Sequence, residues 1–96
     1  MTEIVVRRRH NLRLPSARRL AESMARRLRD EYGGSYSWKG DRLIFQRSGA
    51  SGHLLVTKKD LEIHVTLGLL LTPLRARIER EIHAFCDERF GKPELA

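Results

Sequence analysis

A chain with a single cysteine, Cys86, can close no disulfide within itself. Its fold must rest on packing and hydrogen bonds, and a cytoplasmic location is expected. No stretch approaches the ~20 apolar residues that span a bilayer. The N-terminus MTEIVVRRRH also lacks the apolar run of a signal peptide. Glycine clusters occur at 33–34 and 49–52, but neither opens a helix, so no phosphate-cradling loop is present. Aromatic residues make up 6% of the chain, with no RNP-type aromatic motif and no helix-turn-helix. Acids are in deficit, 12 against 19 lysines and arginines, for a net charge of +7.

The excess of positive charge is uneven. Residues 1–32 hold nine arginines and four acids, whereas residues 33–96 hold ten basic residues and eight acids. Such a bias favours an anionic partner without choosing among nucleic acid, acidic protein and anionic lipid. Arg7, Arg8 and Arg9, followed by Arg18 and Arg19, are the residues placed to contact it.

With 96 residues, 41% of them hydrophobic, the chain is expected to form one domain over 1–96, with 92–96 as a frayed tail. A domain this small tolerates an internal active-site cavity poorly. Glu3 to Arg9 alternates as a strand. Pro15 starts a helix whose apolar stripe runs Ala17, Leu20, Ala21, Met24, Leu28 and Tyr32, and Gly33-Gly34 ends it. Tyr36 and Trp38, Leu43 to Arg47, Leu54 to Thr57, and Leu61 to Leu67 read as four further strands. The turns between them are Lys39-Gly40-Asp41, Ser48 to Gly52, and Lys58-Lys59-Asp60. Turns this short make successive strands antiparallel neighbours. Thr72 as N-cap and Pro73 as first helical residue then open a second helix carrying Leu74, Ile78, Ile82, Phe85 and Cys86, stopped by Gly91. The order β-α-β-β-β-β-α predicts an α+β two-layer sandwich: a five-stranded antiparallel sheet with two helices on one face.

Chemistry-bearing constellations are weak. Glu79, His83 and Cys86 share helical spacing, but Cys86 belongs to the apolar stripe, so no metal site is expected. Ser51 and His53 have no acid placed to orient the histidine, and no catalytic residue is assigned. Gly49-Ala50-Ser51-Gly52 has the spacing of a KH-type loop but joins two strands instead of two helices.

One run resists both periodicities. Leu67 closes a strand and Leu74 begins a helix, but Leu69, Leu70 and Leu71 between them cannot all face one core. They form either a buried joint or an exposed apolar patch, and such a patch usually marks an interface.

RRRHNL near the start, WKGD at 38–41, FQRSGASG at 45–52 and LGLLL at 67–71 followed by RIEREI occur together and in order. In these features the chain resembles the bacterial polyhydroxyalkanoic acid system proteins, found with polyester-granule genes. The strand–helix order also looks like a shortened helix-grip fold, and the resemblance implies a non-enzymatic binding or accessory role in polyhydroxyalkanoate metabolism, with no cofactor expected. The protein would act at the granule surface or on a granule protein, with Leu69, Leu70 and Leu71 as apolar contact and the arginine clusters as charge attraction. Two other functions are open. One is a small carrier holding an acyl chain in a cavity lined by Ile63, Val65, Ile78 and Phe85. The other is a nucleic-acid-binding regulator. The leucines would also serve a homodimer.

Overall fold

The computed structural model describes residues 2–89. Five strands, β1 (Thr2–Arg9), β2 (Ser35–Lys39), β3 (Arg42–Arg47), β4 (Ala50–Val56) and β5 (Asp60–Leu67), form one sheet in the order β1-β5-β4-β3-β2. Every neighbouring pair is antiparallel. The helices α1 (Leu14–Tyr32) and α2 (Arg75–Arg89) both pack on one face. This is the expected α+β two-layer sandwich.

The alternation of each strand decides which face is covered. Ile4 and Val6 of β1, Leu43 and Phe45 of β3, Leu54 and Val56 of β4, and Leu61, Ile63 and Leu67 of β5 are buried beneath the helices. From α1 come Ala17, Ala21, Met24 and Ala25. Alanines at i, i+4 and i+8 let the helix backbone approach the sheet closely, which is why Leu20, Leu28 and Tyr32 flank the contact instead of filling it. Ile78, Ile82, Phe85 and Cys86 complete the core from α2.

Three expectations need adjustment. The turn after β3 is shorter than Ser48 to Gly52. Arg47 pairs with Ala50, leaving Ser48-Gly49 as a two-residue hairpin with Gly49 at φ 82°. Such a loop needs a residue tolerant of positive φ, and glycine supplies it. Second, Thr72 does not cap α2. A 3₁₀ segment, Leu69–Leu74, precedes that helix with Gly68 at its N-cap, and the Thr72 hydroxyl donates back to the Gly68 carbonyl at 3.0 Å. Proline at position 73 is tolerated because it lies within this tight lead-in turn, before the regular helix. Third, Arg8 is buried, with its side chain 8% exposed. The proposed helix stop at Gly91 and the tail at 92–96 lie outside the described residues.

Candidate functional site

The RRRHNL stretch alternates like the rest of β1. Arg7 and Arg9 face solvent, while Arg8, His10 and then Leu12 turn toward the core. One Arg8 amine donates to Asp87 Oδ1 at 2.6 Å and the other to His83 Nδ1 at 2.8 Å, so its guanidinium ties β1 to α2. His10 Nε2–H donates to the Thr57 carbonyl at 2.8 Å, and Nδ1 accepts from the Leu12 amide at 3.2 Å. These two bonds fix the orientation of the imidazole between β1 and the β4–β5 turn. Half of this motif is therefore internal joinery.

WKGD has a similar explanation. Trp38 faces α1, and its indole N–H donates to Glu22 at 2.9 Å. The Arg18 guanidinium lies 4.2 Å from the centre of its ring while reaching Asp41 and the Gly40 carbonyl, both at 3.3 Å. Arg18 thus clamps α1 onto the β2–β3 hairpin. Of the five arginines singled out by charge, Arg7, Arg9 and Arg19 remain on the surface. Arg7 lies 3.6 Å from Glu62, and Arg19 touches the Ser16 hydroxyl at 3.3 Å. Along the helices, Arg26, Arg27, Arg75 and Arg77 each pair with a glutamate one turn away, which offsets much of the local excess.

The last two motifs meet in space. The Gly68 amide donates to the Gly49 carbonyl at 2.7 Å, and a Cβ on Gly68 would stand 3.1 Å from that same oxygen. Gly49 in turn packs on the Leu71 side chain. The hairpin tip of β3–β4 therefore seats the 3₁₀ turn and sets the direction of its side chains. Leu71 folds inward against the core, whereas Leu69 is 81% and Leu70 94% exposed. The apolar run is thus divided: one leucine anchors the turn and two project from it. With Val5, they are the exposed large hydrophobic residues among those described.

Behind Leu71 lies a small apolar void of about 40 Å³. Ile63, Val65 and Ile78 line it, together with Leu28, Tyr32 and Leu74; Phe85 sits elsewhere in the core, toward α1. Its cause is legible on β4, where the inward positions 50 and 52 are alanine and glycine, the smallest side chains available. Ligand pockets for drug-sized molecules run to about 300–1,000 Å³. This void has room for a single small group and holds no acyl chain without opening.

The uncovered sheet face is polar. His53 and His64, cross-strand partners, stack with ring centres 4.7 Å apart. His64 Nε2 also contacts Glu62. Partial burial, reinforced by His64 and Arg42, pulls the His53 pKa below its usual value. The bond from His64 and the nearby Arg7 lower that of Glu62. Burial pushes the Cys86 thiol up to about 11, so it stays an unreactive core group. Among the described residues no group of three or more His, Cys, Asp or Glu side chains could hold a metal ion. No helix among them is long and apolar enough to cross a membrane.

The sequence profile of the polyhydroxyalkanoic acid system proteins matches residues 4–90. The chain belongs to this family. A search of curated proteins gives no match. Among solved structures, the NMR structure of PA4090 from Pseudomonas aeruginosa resembles the chain with a TM-score of 0.59 and 10% identity, over 92% of this chain and 83% of that one. At that identity the likeness shows the shared fold alone. Family membership supplies a context in polyhydroxyalkanoate systems. The inward packing of Arg8, His10, Leu12 and Trp38 gives a structural reason for these four of the motif residues by which the resemblance is carried.

Proposed function

We propose that this protein is a non-enzymatic accessory of polyhydroxyalkanoate metabolism that docks on the storage granule, at its polyester surface or on a protein there. Leu69 and Leu70 make the contact. The observation that carries this reading is their exposure, 81% and 94%, on a turn whose direction is fixed from below by Leu71, Gly68 and Gly49. A rigid turn presenting two bare leucines loses little conformational entropy when it meets an apolar surface. Fully burying each leucine is worth about 1.5–3 kcal/mol, so the pair supplies affinity enough for a reversible attachment. Arg7, Arg9 and Arg19 add a weaker attraction to an anionic coat. The granule would form in the cytoplasm, where this protein would work.

The test is co-sedimentation of purified protein with polyhydroxyalkanoate beads, comparing wild type with Leu69→Asp/Leu70→Asp. Both side chains already face solvent, so the variant should fold normally, with stability changed by no more than about 0.5 kcal/mol. Wild type should bind and the variant should lose at least about tenfold in affinity. Equal binding by both, or no binding by a correctly folded wild type to beads or to native granules, overturns the proposal. The acyl-carrier reading has a void too small to support it. The nucleic-acid reading is left with a surface on which many arginines already have acidic partners.

A further inference from the structure

We propose that the free edge of β1 pairs with the same edge of a second copy, antiparallel about a two-fold axis at Val5, joining two sheets into one. β1 is a terminal strand of the sheet, and β5 is its one hydrogen-bonded neighbour among the described residues. The direction of its backbone groups follows from one bond. The His10 amide donates to the Lys59 carbonyl at 2.9 Å, continuing the ladder toward β5. Backbone direction alternates along an antiparallel strand, so the even-numbered residues of β1 address β5. The amides and carbonyls of Glu3, Val5 and Arg7 therefore point to the open edge. An unpaired edge of this kind is a template for another strand unless something disfavours pairing.

The side chains choose the partner and the register. Glu3, Val5 and Arg7 all lie on the uncovered face, and Val5 is 51% exposed there. This acid–apolar–base triplet is self-complementary when read antiparallel. With Val5 opposite Val5 of the second copy, Glu3 faces Arg7 and Arg7 faces Glu3, while Ile4 and Val6 oppose each other on the core side. Sliding one copy by two residues puts Val5 against Arg7 in one direction and Glu3 against Val5 in the other. Sliding twice in the first direction sets Arg7 against Arg7. One register alone matches charge to opposite charge and apolar to apolar. Arg8 does not oppose association, because its side chain is already drawn inward to Asp87. A closed two-fold pairing also ends the edge without propagating.

The pairing leaves the leucine turns free. Even-numbered residues meet even-numbered ones, so both helical layers lie on the same side of the joined sheet. Thr2 pairs with Leu67, which places each 3₁₀ turn beyond the N-terminal end of its own β1. The two turns consequently project at opposite ends of the dimer.

Sedimentation velocity across a wide concentration range, with circular dichroism as the check on folding, tests the inference. Wild type should show a concentration-dependent monomer–dimer equilibrium. Glu3→Arg and Arg7→Glu should each weaken dimerisation by about tenfold or more, since symmetry doubles every altered contact. The combined Glu3→Arg/Arg7→Glu protein should recover to within about threefold of wild type. Leu69→Asp/Leu70→Asp should leave the dimer intact. Amide exchange gives a readout that needs no variant: Glu3, Val5 and Arg7 should gain protection as concentration rises. A wild type that stays monomeric with those amides exchanging freely would overturn the inference. So would a dimer indifferent to the single reversals, or one broken by the leucine change instead.

Discussion

Removing the carboxylate at position 87 should damage this domain more than removing the arginine it holds. Arg8 is nearly enclosed, and Asp87 accepts from it at 2.6 Å while keeping 40% of its own side-chain exposure. In Asp87→Ala the guanidinium stays buried with His83 as its one remaining polar contact of the two. Breaking a fully enclosed pair costs about 3–5 kcal/mol. Because Asp87 is partly solvated, the lower figure of about 2 kcal/mol for a charged hydrogen bond is the better guide. For a domain of this size, 1 kcal/mol corresponds to about 4–8 °C in Tm, so Asp87→Ala should melt about 8–16 °C lower. Arg8→Met removes the buried charge, fills the same slot with an apolar chain and leaves Asp87 to water. It should cost less than about 1 kcal/mol. The double variant should sit near Arg8→Met, showing that the penalty in Asp87→Ala is an unpaired charge. Urea and thermal unfolding with unchanged m-values would measure all three. If Arg8→Met were as destabilising as Asp87→Ala, or Asp87→Ala unfolded with the wild type, the reasoning would be refuted.

Two further outcomes follow from the site. Gly49→Ala should destabilise by about 1–2 kcal/mol in a urea titration, since Gly49 has φ 82° and the new Cβ would press on Leu71 at 3.3 Å; a midpoint equal to wild type would contradict the proposed seat for the leucine turn. Acidification should weaken the fold through the open sheet face. His53 binds its proton less readily when folded than when unfolded, so its stabilising contribution is full above about pH 6.5 and is lost as pH falls toward its lowered folded pKa. Glu62, also lowered, acts in the same direction at more acid pH. Tm should therefore drop between about pH 7.5 and 5.5, and His53→Gln should flatten that slope; a slope unchanged in His53→Gln would remove His53 as its source.

Strand and helix order were legible because each element carries its own period. Leu61, Ile63 and Leu67 alternate against polar neighbours, and the stripe of α1 repeats with the helical turn. What failed to show was any relation between distant residues. Arg8 reads as one more arginine in a basic run; the alternation of β1 puts it in phase with Ile4 and Val6, but nothing local reveals that Asp87 of α2 waits over the strand. Arg18 was hidden in the same way by a tryptophan twenty residues on. The start of α2 was misplaced because Thr72-Pro73 is a strong local signal for a helix start. The preference for an earlier turn comes from Gly49, supplied by a hairpin remote in sequence. Leu69 and Leu70 were recognisable as unassigned but not as exposed, since exposure depends on which of three leucines the turn draws inward.

This division bears on where the function lies. A buried arginine locked between strand and helix, a buried histidine bonded to a distant turn and a tryptophan under a guanidinium are costly ways to build a core. Each fixes an orientation that plain apolar packing would leave softer, and together they tie the sheet to both helices. The 3₁₀ turn is held separately, its direction inherited from Gly49 on the β3–β4 hairpin and from Leu67 at the end of β5. If the leucines only needed to be apolar, a flexible loop would present them equally well. A turn held this firmly should instead bind with little ordering cost. Gly49→Ala should therefore weaken bead binding even under conditions where the protein remains folded, and an unchanged affinity in that folded variant would separate the seat of the turn from its function.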